Sequence, residues 1–183
     1  DPHLGKGGAG VAVGAMAQSG SSAAGNHFGI FVGALLARAS EEQLRWWFQK
    51  AINLKILGAY AQTELGHGSN VRALETTATY DAAAQEFVID SPTLTSLKWW
   101  PGCFGLIATH AVVYARLLLR GKDYGVHEFM VQLRDENHLP MPGVEVGDIG
   151  PKIGYNLVDN GYCRFDRVRI PRTHMLAKHQ YVT

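Results

Sequence analysis

Short polar side chains and glycines alternate in residues 60–70, whose sequence is YAQTELGHGSN. Thr63 and Ser69 carry hydroxyl groups that donate and accept hydrogen bonds, and Gly66 and Gly68 leave the neighbouring backbone amides accessible. Such a loop can bind a polar ligand through its amides and hydroxyls. The alternative is a structural connection in which the protein itself satisfies the threonine.

A second segment, KWWPGCFG at residues 98–105, places two adjacent tryptophans before a proline and two glycines. In an ordinary strand, one of Trp99 and Trp100 would face the core, and the other would face solvent or a partner. On a rigid loop, an indole instead offers a large flat apolar wall for a planar ring system. Cys103 could be a nucleophile there, although a small buried thiol is the favoured role.

Other chemistries lack their motifs. The glycine-rich residues 5–10 (GKGGAG) have no closing Gly-Lys-Ser/Thr and follow no strand, which disfavours a phosphate-binding loop or a dinucleotide fold. The eight histidines show no HxxxH or HExxH spacing, so no metal site is predicted. The GxSxG motif of serine hydrolases is also absent from the sequence.

Composition narrows the class of protein further. The formal net charge is +1, which gives no basic field, so no nucleic-acid partner is expected. The densest apolar run, residues 29–37, is far shorter than the ~20 residues of a membrane span. The two cysteines form no CxxC pair, which favours a reducing compartment without disulfides. Neither end reads as a natural terminus, which suggests a fragment.

The pattern of apolar residues predicts helices first and strands afterwards. Ser40 and Gln43 form a capping box for a helix from Glu41 to about residue 57. The other predicted elements are helices at 10–18 and 28–39, a hairpin of 76–80 with 86–90, and strands at 108–119, 127–133 and 161–170. This order predicts an α+β fold, in which N-terminal helices (1–58) precede an antiparallel β domain (59–173), with 174–183 starting a further helical region.

Six motifs, in order and spacing, resemble the acyl-CoA oxidases over most of residues 58–176. They are AQTELGHGSN (61–70), LETTATYD (74–81), SPT (91–93), KWWPG (98–102), GDIGPK (147–152), and DNGY (159–162) followed by RIPR (169–172). The resemblance implies an FAD enzyme related to the acyl-CoA dehydrogenases. In that family the flavin lies against a barrel-like or sandwich-like β domain in the middle of the chain.

The resemblance also implies roles for four residues. Thr63 would bond the flavin through its hydroxyl and backbone, and Trp100 would pack along the isoalloxazine. Gly102 would offer its amide near the reactive edge of the ring, and Ser69 would meet the pantetheine arm of the acyl-CoA. Because the dehydrogenases usually have a hydroxyl residue where Gly102 falls, we predict that the glycine leaves room for oxygen to approach.

The reaction implied by the resemblance is α,β-desaturation of a fatty acyl-CoA to trans-2-enoyl-CoA in fatty acid β-oxidation, with O2 reduced to H2O2. The family's base is a glutamate from a later helical domain. No segment here resembles that domain, so no catalytic residue is assigned and the chain alone is expected to be inactive. Fatty acyl-CoA and O2 would be the substrates, the peroxisome or a related organelle the location, and a homodimer the full-length state.

Two alternatives remain open at this point. One is an acyl-CoA dehydrogenase that passes electrons to a carrier protein, which residues 98–105 disfavour because that class has a different sequence there. The other is a non-catalytic flavin- or acyl-CoA-binding module, or an inert truncated product. A basic stretch, residues 164–178, would fit either the phosphates of CoA or FAD or a solvated strand face.

Overall fold

The computed structural model describes residues 23–179, and the helix predicted at 10–18 lies outside this range. A π-helical stretch, Gly25–Phe31, runs directly into helix α1, Val32–Arg38. The helix predicted at 28–39 is therefore confirmed in position. Within the described range, no helix is long and apolar enough to cross a membrane.

Helix α2, Glu41–Ile52, begins with the predicted capping box. Ser40 Oγ accepts a hydrogen bond from the Gln43 amide at 3.3 Å, and Gln43 Oε1 accepts one from the Ser40 amide at 3.0 Å. These two bonds satisfy amides that the first turn of a helix would otherwise leave without partners.

The C-terminus of α2 lies several residues before the predicted end. Leu54 adopts a left-handed conformation with φ +54°, and its amide donates to the Ala51 carbonyl at 3.0 Å. The amide of Lys55 donates to the Lys50 carbonyl at 2.9 Å. This pair of bonds is the Schellman arrangement that ends helices, here with leucine in the position where glycine is usual.

Nine strands follow in the remaining described chain. They are β1 Gly58–Ala61, β2 Thr77–Asp81, β3 Glu86–Asp90, β4 Lys98–Trp99, β5 His110–Leu119, β6 Lys122–Gln132, β7 Val144–Asp148, β8 Gly161–Phe165 and β9 Val168–Pro171. The larger sheet has the order β1-β5-β2-β3-β9, with β6 also paired to β5, and the smaller has the order β4-β8-β7. The predicted hairpin is confirmed as β2 and β3.

The larger sheet is mixed, which corrects the prediction of a wholly antiparallel domain. Both β1 and β2 are parallel to β5. β1 pairs with residues 110–113 of β5, and β2 pairs with residues 116–118. Between them the chain leaves the sheet as a loop, residues 62–76, and then returns in the same direction. The two pairings are therefore both parallel, and the α+β class itself is confirmed.

The strand predicted at 161–170 is two strands. Arg167 has φ +49°, and the chain crosses there from β8 in the smaller sheet to β9 in the larger one. Beyond this break the side chains alternate as in a strand with one buried face, because Val168 and Ile170 are buried while Arg167 and Arg169 are exposed.

Two apolar cores lie on opposite faces of β5. Val113 faces a core between the sheets, and Val112 faces a core beneath the helices. Other large side chains of the first core are Phe87, Ile89, Phe104, Phe129 and Phe165. Those of the second are Phe31, Leu35, Trp47, Leu74 and Met130. Alternation along β5 therefore fixes the helices and the smaller sheet on opposite sides.

Candidate functional site

The loop at residues 62–76 lies beside the segment that contains the two tryptophans. The Leu65 amide donates to the Leu97 carbonyl at 2.8 Å, and the Trp99 amide donates to the Thr63 carbonyl at 3.1 Å. These bonds place Thr63 opposite Trp99, one residue from Trp100. The structure therefore brings together two of the residues that the sequence predicted for one site.

Trp100 is turned away from the core. Its side chain is 47% exposed, and its backbone has φ +83°, a conformation that is unfavourable for a bulky residue. The Trp100 amide donates to the Gly161 carbonyl at 3.0 Å, and the Trp100 carbonyl accepts from Asn160 Nδ2 at 2.7 Å. The preceding Trp99 is half-buried and stacks on Tyr162 with ring centroids 6.2 Å apart. The backbone thus presents one indole as a flat exposed surface.

Several hydrogen-bond donors beside this indole have no partner among residues 23–179. They are the amide and hydroxyl of Thr63 and the amide of Gly102. Both residues are half-buried. Half-buried donors next to an exposed aromatic face suit a planar ligand with acceptor atoms on its edge, and an isoalloxazine ring has both properties. These residues therefore fit the cofactor that the resemblance implies.

The room predicted beside Gly102 is filled by a side chain. A Cβ atom at position 102 would overlap the Nδ2 and Cγ atoms of Asn26. Any larger residue at 102 must therefore displace Asn26 or shift the turn. Oxygen access at this glycine stays a prediction.

The turn that follows Gly102 is held by buried polar groups. Arg134, which is 5% exposed, donates to the carbonyls of Phe104, Gly105 and Ala108 at 2.6–3.0 Å. Asp159 Oδ2 accepts from the Leu106 and Ile107 amides at 2.9 and 3.0 Å. The Oδ1 atoms of Asp159 and Asn160 are buried and have no hydrogen-bond partner in the part of the chain that the structure describes.

Cys103 is buried, as predicted. Burial raises the pKa of its thiol to about 12. The neutral thiol is a poor nucleophile, because thiolate is the reactive form. A packing role is therefore favoured over a catalytic one.

Ser69 lies on the exposed part of the same loop and makes no hydrogen bond to Thr63, Trp100 or Gly102 within the described chain. Nearby, His67 Nε2 lies 3.0 Å from a carboxylate oxygen of Glu75. Hydrogen bonds from Thr93, His67 and Thr95 lower the pKa of Glu75 to about 2. This exposed cluster fixes the loop that carries Ser69.

The most buried polar pair of the site, Glu64 and Lys98, has a role that the sequence analysis missed. Lys98 Nζ lies 3.0 Å from Glu64 Oε1, and both side chains are inaccessible to solvent. Burial lowers the pKa of Lys98 to about 8, against the opposing effect of the Glu64 carboxylate. The Glu64 carboxylate and two backbone carbonyls accept hydrogen bonds from Nζ, an arrangement that suits the ammonium form. The sequence feature that could have indicated this buried charge is a lysine between Leu97 and Trp99, in an otherwise apolar run.

The basic stretch at 164–178 does not form one anion-binding set. Arg169 pairs with Asp81 and Glu86, and Lys178 Nζ donates to the Leu36 carbonyl. Within residues 23–179, no cluster of three or more His, Cys, Asp and Glu side chains could hold a metal ion.

Comparison with known protein families shows the class of protein to which the chain belongs. Residues 59–168 match the protein family described as acyl-CoA dehydrogenase, middle domain. The match covers more than half of the chain, which therefore belongs to this family. The relatives that it resembles within this class are acyl-CoA oxidases, so the predicted resemblance is confirmed.

Two curated relatives show the extent of the similarity. The chain is 56% identical over 161 residues to peroxisomal acyl-coenzyme A oxidase 1 of Arabidopsis thaliana, covering 86% of this chain and 24% of the relative. It is 50% identical over 159 residues to the Bos taurus protein of the same name, with the same two coverages. The chain thus spans about a quarter of the length of these relatives.

Solved structures agree with the sequence relatives. Arabidopsis thaliana acyl-CoA oxidase 1 superposes with a TM-score of 0.86 at 55% identity, over 88% of this chain and 25% of that one. Acyl-CoA oxidase-1 of Caenorhabditis elegans, complexed with FAD and ATP, superposes with a TM-score of 0.84 at 52% identity, over 86% of this chain and 24% of that one.

Proposed function

We propose that this chain is the flavin-facing part of an FAD-dependent acyl-CoA oxidase. The full-length protein would desaturate a fatty acyl-CoA to trans-2-enoyl-CoA and reduce O2 to H2O2, in fatty acid β-oxidation. The observation that carries the proposal is the half-exposed Trp100 indole beside donors of Thr63 and Gly102 that have no partner among residues 23–179. Membership of the family and the oxidase relatives support it.

Each residue has a distinct task in this proposal. Trp100 covers the flavin ring and excludes water from it. The Thr63 hydroxyl and amide, with the Gly102 amide, donate to acceptor atoms of the ring, which makes the ring a better electron acceptor. Ser69 contacts the pantetheine arm of the substrate. When bound, FAD would supply the redox chemistry between the acyl chain and O2.

The carboxylate beside Thr63 is unsuited to the role of base. Glu64 is buried, ion-paired with Lys98, and accepts further bonds from Glu75 and Thr76. A base must reach the α-proton of the substrate, which this carboxylate cannot do. We therefore propose that the base comes from outside this chain.

We also propose that residues 1–58, 59–173 and 174–183 are parts of successive domains of the full-length protein.

The test uses the full-length protein that carries this chain. We expect the purified protein to show flavin absorbance and to release peroxide when a fatty acyl-CoA is added in air. An acyl-CoA dehydrogenase would instead reduce an artificial electron acceptor and release little peroxide. A non-catalytic module would bind FAD or acyl-CoA without turnover.

Location and assembly are further parts of the proposal. The names of the plant and bovine relatives place those proteins in the peroxisome, and we propose the same for this one. A fluorescent fusion of the full-length protein should coincide with a peroxisomal marker. We also propose a homodimer, which sedimentation of the full-length protein would test.

A further inference from the structure

Lys98 has a fully buried amino group with three acceptors. Its Nζ donates to the Tyr114 carbonyl at 2.7 Å, to Glu64 Oε1 at 3.0 Å and to the Gln62 carbonyl at 3.2 Å. An ammonium has three N–H donors, so each donor has one partner. The three acceptors belong to the edge of β5 and to the start of the loop at 62–76.

The Tyr114 carbonyl lies at a gap in the sheet. β1 pairs with β5 as far as Val113, and β2 begins to pair at Arg116. Tyr114 and Ala115 lie outside both of these registers, because the loop has left the sheet there. Lys98 supplies the donor at this position, and it thereby ties β4 to the point where the loop begins.

The Glu64 carboxylate joins the two ends of the same loop. Its Oε1 accepts from the Thr76 amide at 3.0 Å and from the Thr76 hydroxyl at 2.6 Å. Its Oε2 accepts from the Glu75 amide at 2.7 Å. Glu64 stands near the start of the loop, and Glu75 and Thr76 stand at its end, so one carboxylate closes the loop at its base.

Each member of the pair is adjacent in sequence to the candidate site. Glu64 follows Thr63, and Lys98 precedes the two tryptophans. Neighbouring side chains of extended backbone point to opposite faces. Because the Lys98 side chain points into the core, the Trp99 side chain points outward. The position of the backbone where the turn at Trp100 begins is thereby fixed.

We infer that Glu64 and Lys98 are a positioning pair, which sets the separation of Thr63 from the turn at residues 100–102 and so the affinity of the protein for FAD. The inference rests on the proposed function. Stability alone does not explain the pair, because replacing a buried ion pair by apolar groups of similar volume is often neutral or stabilising.

The test is FAD affinity in the full-length protein, measured with Lys98→Met and with the double variant Glu64→Gln/Lys98→Met. Lys98→Met leaves Glu64 charged and without its counter-ion, so it lowers Tm. The double variant removes both charges and recovers much of this loss. We expect both variants to bind FAD at least tenfold more weakly than the wild type, with a changed visible circular dichroism of the flavin.

Two controls separate positioning from stability. Ile89→Ala removes a fully buried side chain on β3, which lies outside residues 62–76 and 100–102 of the chain, and it should lower Tm. Arg169→Met breaks an exposed ion-pair set with Asp81 and Glu86. Both controls should keep the FAD affinity of the wild type within twofold.

Three results would overturn the inference. The first is wild-type FAD affinity in the double variant, and the second is an affinity loss in Ile89→Ala equal to that of Lys98→Met at the same Tm. Both of these leave the proposed function intact. The third is a wild-type protein that holds no FAD, which overturns the proposed function and the inference together.

Discussion

His27 joins the helical segment to the first strand by accepting a hydrogen bond from Gly58. Its Nδ1 accepts from the Gly58 amide at 2.9 Å, so the proton of the neutral ring is on Nε2, which donates to the Ala51 carbonyl at 3.0 Å. The helical segment and β1 approach closely here, since a Cβ atom at position 58 would overlap the ring of Phe31. Protonation of Nδ1 would place a second donor against the Gly58 amide, and burial accordingly lowers the pKa of His27.

The same interface predicts a loss of stability in acid. Burial, together with His174 and Lys50, lowers the pKa of His110 to about 4, and His110 lies beside Trp47 of α2. Between pH 6.5 and 4 the unfolded chain therefore binds protons that the folded chain does not, and stability falls as pH falls through this window. We expect His110 to account for a loss on the order of 1–3 kcal/mol. Urea unfolding at a series of pH values measures it.

His110→Gln is the variant that isolates this effect. It removes one titrating group, so its stability should depend less steeply on pH between 6.5 and 4 than that of the wild type. An equally steep dependence would assign the acid lability to His27 and His174 instead.

Trp100→Ala should weaken FAD retention in the full-length protein. A stacked aromatic contributes about 1 kcal/mol beyond its burial, which corresponds to about a fivefold change in Kd. Trp46→Ala is the matched control, because Trp46 is 59% exposed on α2 and lies in another element. Flavin absorbance after gel filtration measures the difference. Equal retention by the two variants would remove Trp100 from the site.

Gly102→Thr tests oxygen access and must be compared with a variant that relieves the steric overlap. We expect it to slow reoxidation of the flavin by O2 more than reduction by acyl-CoA, because the threonine side chain, which must displace Asn26, would stand beside the ring in the path predicted for O2. Stopped-flow measurement separates the two half-reactions. Asn26→Ala/Gly102→Thr removes the clash with Asn26 and should still reoxidise slowly. Recovery of the oxidative rate in the double variant would assign the effect to the displaced Asn26.

The isolated 183-residue chain should not produce peroxide from acyl-CoA, because Glu64 is buried and no other carboxylate has been assigned as base. A peroxidase-coupled assay with added FAD measures this. Full-length protein in the same assay is the positive control. Sustained turnover by the isolated chain would mean that a base is present within it.

Leu54→Gly should stabilise the protein by about 0.5–1 kcal/mol. Leu54 occupies the left-handed position that ends α2, and it is exposed, so glycine relieves backbone strain and little packing is lost. Leu54→Ala is the control, because alanine keeps the Cβ and the strain. Thermal unfolding of both variants gives the comparison, and equal Tm values would mean that Leu54 is unstrained.

The local sequence was sufficient to predict those elements whose structure depends on residues close together in the chain. The capping box of Ser40 and Gln43 and the hairpin of β2 and β3 are such cases. The early end of α2 was missed because Leu54 stands where glycine is the usual signal. The break at Arg167 was missed because arginine rarely adopts a positive φ.

Contacts between residues far apart in the chain could not be predicted from the sequence. The parallel pairing of β1 and β2 with β5 depends on a loop that leaves the sheet and returns, which no local pattern records. Within the candidate site, Thr63, Trp100, Gly102 and Ser69 came from motif resemblance. The burial of Glu64 against Lys98 required the fold, because charged residues so far apart in sequence are ordinarily expected at the surface.

Because β1 and β2 both pair with β5, the order of synthesis determines when these strands can pair. Gly58 pairs with His110 and Thr77 with Arg116, so neither β1 nor β2 has its parallel neighbour until β5 has been synthesised. Closing such distant contacts is slow compared with forming helices or hairpins. A nascent chain halted before β5 would carry Thr63, Trp100 and Gly102 and would still have no frame to hold them in place.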